Sequence, residues 1–303
     1  MQSTDQLLMI RPVNFKFNEQ TAENNKFQKA SQDDFVQAKA LAEFDNFVAV
    51  LRANGIDILV VDDTKYPETP DSIFPNNWVS FHESGTVILY PMFSENRRSE
   101  RKPEVLKAIE QRFAVKNVID LSSYENQNLF LEGTGSLVLD RQHKIAYACL
   151  SVRTNEQVIK DFSEKTGYEV LTFKAVDEAG FPIYHTNVMM CVADRYAVVC
   201  LKAISDDSER KQMIESLRST DKEIVDITVD QMNHFAGNML QAKNKSGESL
   251  LILSEQAYDS LTPDQVITLE KYSKFVYAPL DTIEQNGGGS ARCMLAEIHL
   301  PLR

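Results

Sequence analysis

Cysteine is scarce in this sequence, with four residues among 303, and no two of them form a CxxC pair. This scarcity excludes a disulfide framework and a structural zinc site of the usual kind, and it is typical of a reducing compartment. We therefore expect a cytoplasmic protein with no metal, and no motif in the chain calls for a cofactor.

Basic residues are also in deficit, because 32 Lys and Arg stand against 44 Asp and Glu, for a net charge of −12 at pH 7. An acidic chain without a basic run repels phosphate backbones, so we expect no nucleic-acid partner. No apolar stretch approaches the roughly 20 residues that cross a bilayer, and the first ten residues lack the features of a signal peptide. We expect no membrane association and a small molecule as partner, and we leave a homodimer open.

Hairpins and helices alternate regularly along the chain. WVSFHESGTVILYPM, from residue 78, predicts two strands around a turn; KPEVLKAIEQRF then predicts a helix and VKNVIDL a third strand. The same order returns from residues 129, 187 and 238. The last run, CMLAEIHLPLR, and the first, QLLMIRPVNF, predict a hairpin opened at its turn, which a helix over 33–54 and the strand IDILVV complete as a fifth unit.

Five ββαβ units of about 50 to 60 residues predict a closed radial assembly, because one such unit cannot cover its own apolar face. We therefore predict an α/β propeller with pseudo-fivefold symmetry, closed by pairing of the N- and C-terminal strands. Length alone, at about 150 residues per domain, favours two domains. Since no Pro-, Gly- or Ser-rich linker divides the chain, we predict a single domain over residues 1–303. The alternative is a generic α+β domain whose hairpins only look periodic.

One polar residue stands directly before the hairpin of each unit. These residues are Asn77, Glu132, His185, Asn238 and Cys293. Equivalent positions of a ring lie around one axis, so we predict that the five side chains converge on a central pocket. Cys293 follows a run of three glycines that permits close backbone approach, and a thiol nucleophile needs a proton-transferring partner such as His185. A role in the core is the alternative for this cysteine.

These motifs resemble the guanidino-group-modifying superfamily, whose arginine deiminases, dimethylarginine hydrolases and amidinotransferases share the five-unit α/β propeller called the pentein fold. The tail GGGSARCM resembles the superfamily's Gly-rich loop that ends in the nucleophile, which implies that role for Cys293. LEGTGS resembles its acidic-Gly-Gly motif and YHTN resembles its His-x-Asp motif. The resemblance implies that His185 is the general acid/base and that Glu132 orients it.

Two arginines extend the resemblance to dimethylarginine hydrolases. NRRSE is similar to their Arg-Arg-x-Glu segment, and SVRTN is similar to their Ser-x-Arg-Thr-Asn segment. The resemblance implies that Arg97 and Arg153 bind the α-carboxylate of the substrate, a role that suits a bidentate guanidinium. Surface salt bridges are the alternative for both residues.

Two asparagines depart from the pattern of the deiminases, which clamp a guanidinium between two Asp residues. This sequence has Asn77 and Asn187 at those places. Two amides would leave the charge of a buried guanidinium uncompensated, whereas each amide offers a donor and an acceptor to a neutral ureido group. With Asn238 as a further substrate-binding residue, we predict a citrulline hydrolase, which agrees with a resemblance to the citrulline utilisation hydrolase branch.

The predicted reaction breaks the ureido C–N bond of citrulline through a covalent thiol intermediate and yields ornithine, ammonia and carbon dioxide. A second hypothesis is hydrolysis of arginine or methylated arginine, with another acid such as Asp71 beside the guanidinium. Amidino transfer is the third hypothesis, and a catalytically silent binding module is the fourth. Residues 62–76 are the candidate for a mobile loop over the pocket.

Overall fold

The computed structural model describes residues 1–31 and 33–303, and the strands of these residues form five three-stranded sheets. In each sheet two strands pair antiparallel and a third lies parallel to the second of them. The strands are β1 (Gln6–Arg11), β2 (Asp57–Asp62), β3 (Val79–Phe81), β4 (Thr86–Leu89), β5 (Asn117–Asp120), β6 (Leu137–Asp140), β7 (Ile145–Cys149), β8 (Glu169–Phe173), β9 (Met190–Val192), β10 (Tyr196–Val199), β11 (Glu223–Asp226), β12 (Leu240–Lys243), β13 (Ser249–Ser254), β14 (Lys274–Ala278) and β15 (Ala296–Glu297).

Helices connect the second and third strand of each sheet, and shorter ones lie in the loops. They are α1 (Glu19–Ala22), α2 (Val36–Ala53), α3 (Glu95–Arg98), α4 (Pro103–Arg112), α5 (Gly133–Ser136), α6 (Glu156–Thr166), α7 (Thr186–Met189), α8 (Asp207–Ser219), α9 (Val229–Asn233), α10 (Glu255–Ser260), α11 (Pro263–Glu270) and α12 (Asp281–Gly287). Single 3₁₀ turns cover Pro75–Asn77, Ser122–Gln127, Leu201–Ala203 and Ala291–Met294. Among these helices, none has the length and apolar composition needed to cross a bilayer.

The predicted ββαβ order is confirmed in all five sheets. The predicted pairing of the first and last strands is also confirmed, because β1 pairs antiparallel with β15 with Leu7 opposite Glu297. The helix predicted over 33–54 begins at Val36 instead, since the carboxylate of Asp33 accepts a hydrogen bond from the backbone N–H of Phe35 and holds a turn there.

Helix α6 shows how local sequence sets these elements. Its N-cap is Asn155, whose side chain accepts a backbone hydrogen bond, and it ends at Gly167 in the left-handed region with φ of 72°. Between these caps Val158 and Phe162 lie on one face and are buried against the β6–β7–β8 sheet. The helix thereby covers one side of its own sheet.

In four of the five units a short helical turn precedes the first strand of the hairpin. These turns are Pro75–Asn77, α5, α7 and Ala291–Met294, whereas in the fourth unit the turn residues 234–237 follow α9. Turn Pro75–Asn77 contacts both α5 and Ala291–Met294, and α5 also contacts α7. These contacts bring polar side chains from different sheets into one buried region.

Candidate active site

Glu132 and His185 meet in this buried region. Nε2 of His185 lies 2.8 Å from Oε2 of Glu132, and both side chains are almost fully buried. Burial opposes ionisation of Glu132, but Arg153 and the hydrogen bond from His185 outweigh it and hold the pKa of this carboxyl well below its usual range. Since the carboxylate is ionised, Nε2 must donate to it, which leaves Nδ1 of the neutral imidazole as a base.

The backbone of the LEGTGS motif approaches its neighbours too closely for any residue but glycine. A Cβ on Gly133, whose φ is +47°, would lie 2.3 Å from the backbone oxygen of Asn76. A Cβ on Gly135 would lie 2.5 Å from Nδ2 of Asn77 and 2.7 Å from Nδ1 of His185. The two glycines therefore let the side chains of Asn77 and His185 come together.

Cys293 lies in the turn Ala291–Met294 and is 3% exposed. Two amide nitrogens point at its sulfur, with Nδ2 of Asn238 at 3.2 Å and Nδ2 of Asn187 at 3.5 Å from Sγ. Burial raises the pKa of the Cys293 thiol, while hydrogen bonds from the backbone at Ser290 and from the two amides act in the opposite sense. The thiol is therefore mainly neutral in the free protein near pH 7.

Arg97 is buried and its guanidinium is largely committed to neighbouring groups. Its Nε and Nη2 donate to the two oxygens of Glu100 at 2.8 and 2.9 Å, and Nη1 donates to Oδ1 of Asn77 at 2.8 Å. This bidentate pair holds the guanidinium rigidly beside the site. Arg97 is thus placed to orient the amide of Asn77.

Arg153 is also buried, but it contacts the N-terminal segment. Its Nε donates to Oδ1 of Asn24 at 2.7 Å, and its Nη2 donates to the backbone oxygen of Thr21 at 2.9 Å. One hydrogen on each of Nη1 and Nη2 remains for a ligand after these bonds and the contact with Glu132.

These groups surround one small cavity of about 10 Å³, which has room for roughly one water molecule. Its lining residues are Thr21, Asn25, Asp71, Phe74, Asn77, Arg97, Arg153, Tyr184, His185, the glycines 287–289 and Cys293. Five of the eight sequence-predicted site residues line it, namely Asn77, Arg97, Arg153, His185 and Cys293. Glu132 lies behind His185, and the amides of Asn187 and Asn238 lie against the sulfur.

The model of the family described as N,N-dimethylarginine dimethylhydrolase, eukaryotic, matches residues 11–300 of the chain. The chain belongs to this family. It is therefore a member of the guanidino-group-modifying superfamily, and the family consists of hydrolases that act on C–N bonds of guanidino compounds. No curated protein matches the sequence.

Three solved structures illustrate the likeness in fold. The apo structure of ArgZ, an arginine dihydrolase from the ornithine–ammonia cycle in cyanobacteria, has a TM-score of 0.75 and 18% identity over 98% of this chain and 41% of that chain. The product-bound N-terminal domain of ArgZ has a TM-score of 0.73 and 18% identity over 98% of both chains. An adduct of dimethylarginine dimethylaminohydrolase with S-methyl-L-thiocitrulline has a TM-score of 0.66 and 14% identity over 97% of this chain and 99% of that chain. This chain thus spans about two fifths of full-length ArgZ.

Sequence analysis of this family member named residues 62–76 as the candidate loop over the cavity, but no sequence signal indicated the segment around α1. Thr21 and Asn25 reach it from the segment around α1, and Nδ2 of Asn25 donates to the backbone oxygen of Gly288 at 3.2 Å. Segment 62–76 contributes Asp71 and Phe74 to the wall. The contact of Asn25 with Gly288 joins residues 263 positions apart, and no periodic pattern in the sequence indicates it.

No group of three or more His, Cys, Asp or Glu residues is arranged to hold a metal ion within residues 1–31 and 33–303.

Glu284 of α12 holds the Gly-rich loop in place through a hydrogen bond. Its Oε1 accepts from Oγ of Ser290 at 2.5 Å, and its Oε2 accepts from Nε2 of Gln256 at 2.8 Å. Burial raises the pKa of Glu284 from 4.5 to about 7, although these hydrogen bonds act in the opposite sense. The folded protein therefore holds a proton here, between about pH 4.5 and 7, that the unfolded chain has released.

We expect Glu284→Gln to change the pH dependence of stability. As pH rises from 4.5 to 8, the raised pKa lowers the free energy of unfolding of the wild type by about 3 kcal/mol. The uncharged variant does not have this loss. Urea unfolding of both proteins at the two pH values measures this difference, with Glu270→Gln on the exposed surface as the matched control. Parallel pH dependence of Glu284→Gln and wild type would contradict the prediction.

Proposed function

We propose that this chain hydrolyses the ureido C–N bond of citrulline to give ornithine, ammonia and carbon dioxide. Cys293 is the nucleophile of this reaction, His185 is its general acid/base, and Glu132 orients the imidazole. The observation that carries the choice of substrate is the orientation of the Asn77 amide.

Arg97 decides which end of the Asn77 amide is available to a ligand. A guanidinium only donates hydrogen bonds, so the atom 2.8 Å from Nη1 of Arg97 must be the Asn77 oxygen. Nδ2 of Asn77 donates one hydrogen to Oδ1 of Asn76 at 3.1 Å, and its second hydrogen is left for the cavity that Asn77 lines. A ureido carbonyl oxygen accepts this hydrogen bond, whereas a guanidinium presents only N–H groups to it.

Asn187 supplies the complementary group. Within the described part of the chain, its Oδ1 is buried without a hydrogen-bond partner, and its Nδ2 lies 3.5 Å from Sγ of Cys293. A buried unpaired acceptor is costly unless a ligand satisfies it. The terminal NH₂ of a ureido group provides that donor, so Asn77 and Asn187 together match its carbonyl and amide ends.

The α-carboxylate and α-ammonium groups of citrulline can each pair with a side chain of opposite charge in the cavity wall. We assign the α-carboxylate to the two remaining hydrogens of Arg153, and Arg97, which is held by Glu100 and Asn77, adds its positive charge to the same cavity wall. Asp71 is buried, and its Oδ1 has no hydrogen-bond partner among residues 1–31 and 33–303. Its Oδ2 accepts from Asn18 and Thr21 and lies 3.8 Å from Nε of Arg97, so Oδ1 is the atom that can accept a hydrogen bond from the α-ammonium group.

The chemistry follows from these positions. The thiol of Cys293 gives its proton to Nδ1 of His185, and the thiolate attacks the ureido carbon. The bond from that carbon to the ornithine nitrogen breaks as His185 returns the proton to the departing nitrogen, and an S-carbamoyl cysteine remains. Water, deprotonated by His185, then attacks the thioester. The thiol is regenerated, and the released carbamate decomposes to ammonia and carbon dioxide.

Hydrolysis of arginine or a methylated arginine is the second candidate. It is supported by the activities in the names of ArgZ and dimethylarginine dimethylaminohydrolase and by the family description. In that case Asp71 would have to take the guanidinium, since Asn77 offers it a donor. Amidino transfer and a silent binding module follow as weaker hypotheses.

A parallel assay with three substrates tests the proposal. The purified protein is incubated with citrulline, arginine and asymmetric dimethylarginine, and ornithine, citrulline and ammonia are quantified. We expect ornithine and ammonia in equal amounts from citrulline. A higher kcat/KM for arginine or dimethylarginine, with citrulline as a product, would overturn the choice of substrate.

We also propose that the five sheets are the blades of one pseudo-fivefold propeller and that residues 1–303 form a single domain. Contacts between successive sheets support this arrangement: β15 contacts β3, α5 contacts β3, β6 contacts β9, β9 contacts β12, and β14 contacts α2 of the first sheet. A cytoplasmic location and a homodimer stay predictions.

A further inference from the structure

Among residues 1–31 and 33–303, the side chains in polar contact with the sulfur of Cys293 are the amides of Asn238 and Asn187, and no cation is paired with it. The arginine beside it in sequence, Arg292, directs Nη2 to Oε2 of Glu297 at 2.6 Å and Nη1 to the backbone oxygen of Leu295 at 2.7 Å. This guanidinium therefore makes its direct contacts with Glu297 and Leu295, and its charge acts on the thiol only through space, where it lowers the thiol pKa. The direct polar contacts of Sγ come instead from Asn238 and Asn187.

The amide of Asn238 is fixed with its nitrogen toward the sulfur. Its Oδ1 accepts a hydrogen bond from the backbone N–H of Arg292 at 3.0 Å, so the oxygen cannot exchange places with the nitrogen without losing this bond. Nδ2 then donates to the backbone oxygen of Asn187 at 2.9 Å and toward Sγ at 3.2 Å. The oxygen also lies 3.6 Å from Sγ and can accept from the neutral thiol, so the oxygen and both hydrogens of this amide are used inside the protein.

A neutral substrate makes this geometry important. A cationic guanidinium above the sulfur would stabilise a thiolate by its charge, whereas a ureido group brings no charge. The stabilisation must then come from fixed N–H dipoles, which are most effective in a buried site from which water is excluded.

We infer that Asn238, assisted by Asn187, is a catalytic residue that stabilises the thiolate of Cys293 rather than a residue that binds substrate. The inference rests on the proposed role of Cys293 as nucleophile and deepens it. In the thiolate form both amide N–H groups become charge-assisted donors to sulfur, and the proton released by the thiol passes to Nδ1 of His185. The other titratable or charged groups around the sulfur are Asp71, Arg97, Arg153, Tyr184 and His185 of the shared cavity, and Arg292 of its own turn.

The test measures the ionisation of Cys293 without any substrate. Alkylation by iodoacetamide is followed by mass spectrometry from about pH 6 to 10, and its rate follows the thiolate fraction. Burial raises the pKa values of Cys149 and Cys191 to about 12 and that of Cys200 to about 11, so Cys293 is the thiol that reacts.

Asn238→Asp keeps the shape of the side chain and replaces the donor by a carboxylate oxygen, and Asn238→Ala removes the donor without adding charge. We expect the alkylation rate at pH 7.5 to fall about tenfold or more in Asn238→Asp and less in Asn238→Ala. The kcat for citrulline should fall with little change in KM. The pH profile of kcat should shift to higher pH by the same amount as the titration of the thiol. Asn117→Asp, which adds the same charge on the exposed strand β5, is the matched control.

An unchanged thiol titration in either folded variant, or a rise in KM at constant kcat, would overturn the inference. A second measurement needs no variant of Asn238. The side-chain amide NMR signals of Asn238 should shift with pH in the wild type and stay constant in Cys293→Ala. Wild-type signals that do not change over the pH range of the thiol titration would also overturn the inference. If the Asn238 variants change the thiol titration as expected but the wild type does not hydrolyse citrulline, this inference stands and the proposed substrate is refuted.

Discussion

Cys293→Ala should abolish citrulline hydrolysis, with a fall in kcat of about 10,000-fold or more, because the variant has no atom that can form the covalent intermediate. Binding should survive, since the cavity wall around Arg153 and Asp71 is unchanged and the polar contacts of the lost thiol are with the amides of Asn187 and Asn238. Steady-state kinetics measures the first effect, and isothermal titration with citrulline measures the second.

Cys200→Ala is the matched control for this prediction, because Cys200 is fully buried in a hydrophobic cluster away from the cavity. It should retain activity. In the wild type, rapid acid quenching during turnover should trap a protein heavier by one carbamoyl group, carried on the peptide that contains Cys293. Substantial hydrolysis by Cys293→Ala would refute the nucleophilic role.

The double variant Asn77→Asp with Asn187→Asp should reverse the substrate preference. At position 77 one carboxylate oxygen would keep the bond to Arg97, and the other would replace the N–H that faces the cavity. Asn76, whose Nδ2 has no partner among the described residues, can then rotate its amide and donate to the new oxygen. A carboxylate at position 187 would lie beside the sulfur, where it favours a cationic substrate.

We expect the ratio of kcat/KM for arginine to that for citrulline to rise by about 100-fold or more, because two buried carboxylates compensate a guanidinium and repel a ureido carbonyl. Single variants show which position contributes more, and Asn117→Asp again controls for added charge. An unchanged ratio in a folded double variant would show that the asparagines do not select the substrate.

Sequence reasoning found the elements that have a local signal. Alternating strands, amphipathic helices and the position of each polar residue before a hairpin are periodic, so the order of the five sheets and the pairing of β1 with β15 could be predicted. The NRRSE segment indicated Arg97 as a site residue, but its buried bidentate pair with Glu100 was not predicted.

The orientation of side chains had no such signal. Whether the amide of Asn77 or Asn238 presents oxygen or nitrogen depends on a partner elsewhere in the chain: the guanidinium of Arg97 for Asn77 and the backbone N–H of Arg292 for Asn238. The cover formed around Asn25 likewise depends on a contact with Gly288. These features carry the proposed substrate and mechanism, and they follow from tertiary packing alone.

The pairing of β1 with β15 also has a consequence for how the site assembles. Oγ1 of Thr4 donates to the backbone oxygen of Ile298 across 294 positions of chain, and β15 directly follows the turn that carries Cys293. Contacts between such distant segments form slowly, because the intervening chain loses much conformational entropy before they are made. The thiol should therefore gain its amide contacts in one of the last folding steps, so recovery of activity should lag behind recovery of secondary structure when the unfolded protein is diluted from urea.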